Sequence, residues 1–239
     1  MKGRIAWLVA GVVITVTVLA SGSFSLWYLT AFKPSVNSQI QTVSYTGQPR
    51  SIAIQLDSGD ITLRPGPAGQ IRVTRAMGWT GAKPVVDEHW DGQKLRIQQH
   101  CPQQVFTRVC RVFYRISVPP GVTIDATTDS GTITATGLAG VLNLTSLAGD
   151  VDVSGARSPE VLASTDAGDI VIGFDAAPDF VKALTYQGDV TVKVPPGASY
   201  NVQPVADAGS VRVSVTTDQS ARRFISATSD SGDVSVVYK

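Results

Sequence analysis

The sequence predicts an all-β repeat fold, and three observations carry that prediction. A short turn ending in glycine recurs seven times, at Gly59, Gly131, Gly149, Gly168, Gly188, Gly209 and Gly232. The residues two and four after each glycine are apolar in every copy, and the one between is polar in all but the copy with Val171. The last six glycines stand 18, 19, 20, 21 and 23 residues apart. Strict alternation marks a strand with one buried and one wet face. A period of about 20 residues with one supersecondary unit per repeat marks a solenoid.

The chain opens with a segment of another kind. Residues 1–4 carry Lys2 and Arg4, and from Ile5 to Phe32 no side chain is charged. About 20 apolar residues suffice to cross a hydrocarbon core as a helix. Residues 5–32 are therefore expected to be a single-pass signal anchor, with residues 1–4 as a cytoplasmic tip by the positive-inside rule. Trp27, Tyr28 and Phe32 stand at its far end, where an interfacial belt belongs. The alternative is a cleaved signal peptide, with Val18-Leu19-Ala20 before the cut. Either reading sends the rest of the chain out of the cytoplasm.

Beyond the anchor, residues 33–49 read as a linker and residues 50–239 as one extracytoplasmic β-solenoid. A second alternating stretch precedes most turns, as at Ile52/Ile54/Leu56, Val122/Ile124/Ala126 and Ile225/Ala227. Each repeat thus reads as strand, tight turn, strand, a hairpin-like unit stacked in series on the next. Glycine fits the turn because it takes positive φ without steric penalty. The aspartate two residues earlier, present in five of the seven copies, closes an Asx-turn. At about 4.8 Å per rung, the five steps from Gly131 to Gly232 predict a column roughly 24 Å tall.

Residues 64–120 break the period and read as an irregular portion ahead of the regular repeats at 121–239. Two longer strands are expected there, at residues 94–99 and 112–118. The turn after them, Val118-Pro119-Pro120-Gly121, recurs as Val194-Pro195-Pro196-Gly197. Cys101 and Cys110 lie between the two strands and outside the membrane, where thiols oxidise, so a disulfide is expected. Pairing the strands as a hairpin sets Gln99 opposite Val112, Ile97 opposite Tyr114 and Leu95 opposite Ile116. The same register gathers Arg96, Arg111, Arg115 and His100 on the outer face as a candidate anion strip. Like charges directly opposite are unfavourable, so splaying into solvent competes with that reading.

Other chemistry is thin. Asp60, Asp150, Asp169, Asp189 and Asp233 follow five of the turn glycines, and stacked carboxylates raise the question of calcium. Calcium β-rolls repeat every nine residues with paired glycines, a pattern missing here, so turn chemistry is the expected role. A zinc site needs four ligands, which His100 and two cysteines do not supply. No metal and no cofactor is expected. The sequence has no Gly-x-Ser-x-Gly, phosphate loop or His-Glu-x-x-His motif, and no catalytic residue is assigned. With Lys2 and Arg4 set aside, 18 basic residues face 19 acidic ones, so no field attracts nucleic acid.

The Ser-Gly-Asp turns, the Val-Pro-Pro-Gly lead-in and the run of Gly-Asp-(Val/Ile)-x-(Val/Ile) repeats resemble a bacterial putative-adhesin family of domains of unknown function. The resemblance covers residues 50–239 and implies a β-helix-like fold outside the cytoplasmic membrane, with no catalytic residues. Thr132 and Ser210 depart from it by standing where aspartate follows the glycine. The function expected is that of a membrane-anchored, adhesin-like module of the cell envelope, structural or binding in role and not an enzyme. Its expected partners are a wall polymer or another envelope protein; the alternative is a carbohydrate-active enzyme on envelope polysaccharide. The final strand, residues 234–238, has no cap beyond Lys239. An uncovered edge needs management. Cover within the chain is expected, by the irregular portion or by insertion of the last strand beside an earlier one. Self-association through this C-terminal rung is the other outcome.

Overall fold

Alternation of the kind seen in the sequence builds strands, and strands this short must share their buried faces with neighbours. The computed structural model describes residues 36–102 and 109–239, of which Asn37–Lys239 form one compact unit. The expected anchor at 5–32 lies outside the described residues. Among them no helix is long and apolar enough to cross a membrane.

Nineteen strands follow one another. The first seven are β1 (Asn37–Thr46), β2 (Ser51–Leu56), β3 (Ile61–Pro65), β4 (Gln70–Trp79), β5 (Val85–Trp90), β6 (Lys94–His100) and β7 (Cys110–Val118). Six more are β8 (Thr123–Ser130), β9 (Ile133–Thr136), β10 (Leu142–Ala148), β11 (Val151–Ala156), β12 (Glu160–Ala167) and β13 (Ile170–Phe174). The last are β14 (Phe180–Gln187), β15 (Val190–Val194), β16 (Asn201–Ala208), β17 (Val211–Val213), β18 (Phe224–Ser231) and β19 (Val234–Tyr238).

The two strands around each turn glycine do not pair with each other, which corrects the hairpin-like unit. One lies in a nine-stranded sheet, ordered β16-β18-β14-β12-β10-β8-β2-β6-β5. The other lies in a ten-stranded sheet, ordered β1-β4-β7-β3-β9-β11-β13-β15-β19-β17. The glycine sits at the corner where the chain passes between sheets. Each rung is thus two strands, and rungs stack in parallel register, Leu142 on Ile124 and Val161 on Leu142. Inward rows of Ile, Val, Leu and Ala fill the space between the sheets, with Ile52, Ile124, Ile133 and Ile170 at zero exposure. Eight rungs at about 4.8 Å give a column roughly 34 Å tall.

The order of rungs departs from the serial stacking expected. The rung β2/β3 lies between β6/β7 and β8/β9, and the C-terminal rung β18/β19 lies between β14/β15 and β16/β17. The last strand is therefore inserted beside an earlier one and is no open edge, since β19 pairs with β15 on one side and β17 on the other. The outermost rung at that end is β16/β17.

The opposite end is capped. Strand β5 pairs antiparallel with β6, and β4 and β1 continue the other sheet antiparallel beyond β7. Residues 37–46 of the expected linker are thus an edge strand. The expected irregular portion, 64–120, holds the cap strands β4 and β5 and one regular rung, β6/β7. That rung was hidden because its corner carries no glycine. A disulfide joins Cys101, just after β6, to Cys110, at the start of β7.

Candidate functional site

The corner where the chain changes sheets is the most repeated chemical feature of the molecule. A Cβ built on Gly168 would lie 2.4 Å from the Gly149 carbonyl oxygen, and φ there is +154°. No other residue tolerates both the conformation and the contact. At Gly209, where φ is not in the restricted range, the contact alone decides, at 2.0 Å from the Gly232 carbonyl oxygen. In spatial order the ladder runs Gly59, Gly131, Gly149, Gly168, Gly188, Gly232, Gly209, each pressed on the carbonyl before it.

Two further ladders flank the glycines. The Asp60 carboxylate accepts from the Thr132 N–H at 3.0 Å, and Asp150 accepts from the Asp169 N–H at 2.9 Å. Asp169, Asp189 and Asp233 accept from the N–H groups of Asp189, Asp233 and Ser210, each at 2.8 Å. The hydroxyls of Thr128, Ser146, Thr165, Thr185 and Ser229 donate to the carbonyl oxygens of Gly59, Gly131, Gly149, Gly168 and Gly188. Each carboxylate therefore spends an oxygen on the next rung's backbone, a structural role. The Ser210 N–H holds the Asp233 carboxyl below the ordinary carboxylate range. No group of three or more His, Cys, Asp or Glu side chains among the described residues is placed to hold a metal ion.

The candidate anion strip is not assembled. Arg96 and His100 lie on β6 in the nine-stranded sheet, whereas Arg111 and Arg115 lie on β7 in the ten-stranded one. The proposed hairpin register fails for the same reason: β6 pairs with β2 and β5, and β7 with β3 and β4. His100 instead meets Asp57, its Nδ1 2.7 Å from Oδ2. That carboxylate also accepts from the Cys101 N–H at 2.9 Å, while the buried Gln99 side chain accepts from the N–H groups of Asp57 and Ser58. These bonds finish the glycine-free corner at which the disulfide sits.

Sequence reasoning missed a partly buried polar cluster within the cap. Arg75 on β4 pairs with Glu88 on β5, and so bridges the two sheets. Tyr45 on β1 donates to the second Glu88 oxygen at 2.6 Å, and Gln41 accepts from Arg75 Nε at 2.9 Å. Burial, then the Glu88 hydrogen bond and charge, pushes the Tyr45 hydroxyl well above the ordinary tyrosine range. Tyr114, buried on β7, is raised first by burial and then by Glu88. Arg75 and Glu88 are 13 residues apart and on no shared periodicity, so no local pattern announced the pair.

The sheets' outer faces are flat and polar. On the nine-stranded sheet a groove of about 270 Å³ runs over β10, β12 and β14, lined by Asn143, Thr145, Leu162, Ser164, Lys182 and Leu184. Thr145 and Ser164 Oγ atoms lie 3.2 Å apart across neighbouring rungs.

A two-sheeted parallel β-solenoid with a cap at one end defines the class of protein. The chain belongs to the Toastrack DUF4097 family, whose model matches residues 43–237. No curated protein matches it in sequence. Two solved structures are similar to it. One is a putative cell adhesion protein from Clostridium sporogenes, 11% identical, with a TM-score of 0.48, covering 86% of this chain and 100% of that one. The other is a putative adhesin from Bacteroides fragilis, 12% identical, with a TM-score of 0.41, covering 84% of this chain and 97% of that one.

Proposed function

We propose that the chain is a membrane-anchored module of the cell envelope that holds its solenoid outside the cytoplasmic membrane and binds an extended polymer along one flat face. The observation that carries the location is the disulfide. Cys101–Cys110 takes the place that the glycine step fills in the other seven rungs, so the first corner is completed only where thiols oxidise. The uncharged stretch at 5–32 supplies the tether. The face with the groove suits a hydroxyl-rich chain such as a wall polysaccharide: the Asn143 amide, the Thr145 and Ser164 hydroxyls on neighbouring rungs and the Lys182 ammonium stand beside Leu162 and Leu184 as apolar contacts.

The test has two arms. Protease added outside intact spheroplasts should digest a C-terminally tagged chain, and both cysteines should resist thiol labelling until reduced. A protected chain with free thiols would refute the location. Retention of the residue 36–239 fragment on isolated cell walls should fall at least tenfold in Ser164→Glu and stay unchanged in Thr134→Glu, on the opposite sheet. Equal retention of all three would remove the groove from the reading.

A further inference from the structure

Twice the chain passes from one parallel rung to another over a rung between them, and both connections use the same four residues. The links at 47–50 and 66–69, which join cap strands to β2/β3 past β6/β7, do not use them. Val118-Pro119-Pro120-Gly121 leads from β7 to β8, past β2/β3. Val194-Pro195-Pro196-Gly197 leads from β15 to β16, past β18/β19. The conformations match, with Gly121 at φ +74° and Gly197 at φ +96°. The contacts match too: the N–H just beyond each skipped rung, Gly66 or Lys239, donates to the valine carbonyl that opens the motif. Connections between adjacent rungs, such as residues 157–159, carry no such pair of prolines. Proline fixes its own φ, and a residue before proline is held extended. The two prolines therefore stiffen a connection that turns at Pro120-Gly121 and bends at Pro196-Gly197, between rungs two spacings of about 4.8 Å apart.

The skipped positions are filled by the first and last rungs of the chain. At the C-terminal end the walls hold the insert through its repeat pattern, through Phe224 stacked on Phe180 and through the Lys239–Asp175 ion pair. Ser229 donates to the Gly188 carbonyl, the Asp233 N–H donates to the Asp189 carboxylate, and Asp233 in turn accepts from Ser210. The outer wall β16/β17 is suited to no other place. The Asn201 N–H donates toward β18, so by strand alternation Val202, Pro204 and Ala206 turn their backbone to the free edge. Pro204 loses no ladder bond there and would lose one in any inner rung. Ala206 stands in register with Ser229, where inner rungs carry a hydroxyl, and Ser210 follows Gly209 where inner rungs usually carry aspartate.

We propose that the second Val-Pro-Pro-Gly is a strut that holds open a gap one rung wide, and that this gap accepts residues 224–239 from a second copy of the chain in exchange for its own. The insert is tied to its wall only through the connection at 214–223, which lies largely at the surface. An element exchanged between copies through such a connection keeps every native contact.

The experiment uses the full chain with a protease site placed between Ser220 and Ala221, nicked after folding. Refolding with excess labelled peptide of residues 221–239 should replace the native fragment one-to-one. The same peptide carrying Gly232→Val should bind at least 100-fold more weakly, because a Cβ there lies 2.1 Å from the Gly188 carbonyl oxygen. No uptake of the native peptide, or equal uptake of both, overturns the proposal. Gln187→Cys with Ala208→Cys reports the gap itself. Both residues are register partners of Ser231, so they lie two spacings apart, beyond disulfide reach. Once the fragment is removed they should still not cross-link, and a cross-link means the gap has closed and the strut idea fails. Should the fragment-free chain unfold, peptide-dependent recovery is the reading: recovery supports the proposal and its absence overturns it. The intact chain refolded at high concentration should yield dimer beside monomer; monomer alone at every concentration refutes exchange between copies.

Discussion

Replacing Gly168 by alanine measures what holds the rungs together. The new Cβ would stand 2.4 Å from the Gly149 carbonyl oxygen and 2.6 Å from its carbon. Both atoms are backbone, so no rotamer relieves the contact and the rungs must separate. A non-glycine residue in this backbone region costs about 1–3 kcal/mol, and overpacking against a rigid neighbour about 1–3 kcal/mol more. Separation also stretches the Asp169 N–H to Asp150 bond and the Thr165 hydroxyl to Gly149 bond, each worth about 0.5–1.5 kcal/mol net. Allowing for overlap between neighbouring terms, the loss is about 3–6 kcal/mol. That is a large share of the roughly 5–15 kcal/mol that holds a domain folded. Two other glycines separate the causes. Gly121 has φ +74° with nothing within 4 Å of its Cβ, so alanine there costs about 1–2 kcal/mol. Gly209 has the contact without the φ, on an outermost rung that is free to shift, and its loss should fall between the two. Urea titrations of residues 36–239, followed by circular dichroism, give the three values. Gly168→Ala within about 1 kcal/mol of wild type, or no costlier than Gly121→Ala, refutes the close-contact account of the ladder.

Cys101→Ser with Cys110→Ser should lower stability by about 2.5–3 kcal/mol through loop entropy, and wild type under reductant should match the double variant. Glu88→Gln should cost about 1.5–3 kcal/mol, the worth of a hydrogen bond to a charged group, since partly buried Arg75 keeps its bonds to Gln41, whereas Glu88→Met with Arg75→Met should come close to wild type; equal losses in the two would argue against the ion pair. Asp233 has a depressed carboxyl, so its contribution is complete above the ordinary carboxylate range, about pH 4, and disappears as pH falls through the lower folded value. Asp233→Asn should therefore melt lower than wild type at pH 7, and the difference should close as pH falls below the ordinary carboxylate range; a difference indifferent to acid contradicts the bond from Ser210. In cell fractions the full-length chain should stay with membranes through salt and carbonate, while a soluble form beginning near Ser21 would mean that the segment at 5–32 is cleaved.

The rungs were legible where a local rule repeats. Glycine, then apolar-polar-apolar, has a short period and survives inspection residue by residue, and all seven copies prove to be corners. What escaped was non-local. The rung β6/β7 has the strand alternation but no glycine, because the segment joined by the Cys101–Cys110 disulfide carries the chain between sheets instead. Read without a corner, its two strands looked like a hairpin, and Arg96 and Arg115 were brought together across a pairing that does not exist. Strand β1 was lost because edge strands need little apolar content: only Ile40, Val43 and Tyr45 interrupt its polar run. The Arg75–Glu88 pair could not be read at all, since it depends on how a cap folds over the first rung.

Rung order is the more instructive failure, because the sequence did carry a signal for it. Periodicity says that units stack and is silent on which unit touches which; stacking in chain order was the default assumption. The repeated Val-Pro-Pro-Gly reads as a common lead-in, yet it stands at the two connections that carry the chain from one parallel rung over another. The anomalies at the other end of the chain agree with it. Ser210 breaks the aspartate ladder, Ala206 lacks the hydroxyl, and Pro204 removes an N–H, all in one repeat. Scattered through a serial stack these would be three separate defects in the next-to-last rung. Placed in the outermost rung, each removes a group that would have no partner, and Pro204 also closes the free edge to a further strand. Where a repeat protein concentrates its departures in one unit, that unit is to be sought at an end of the column, whatever its place in the chain.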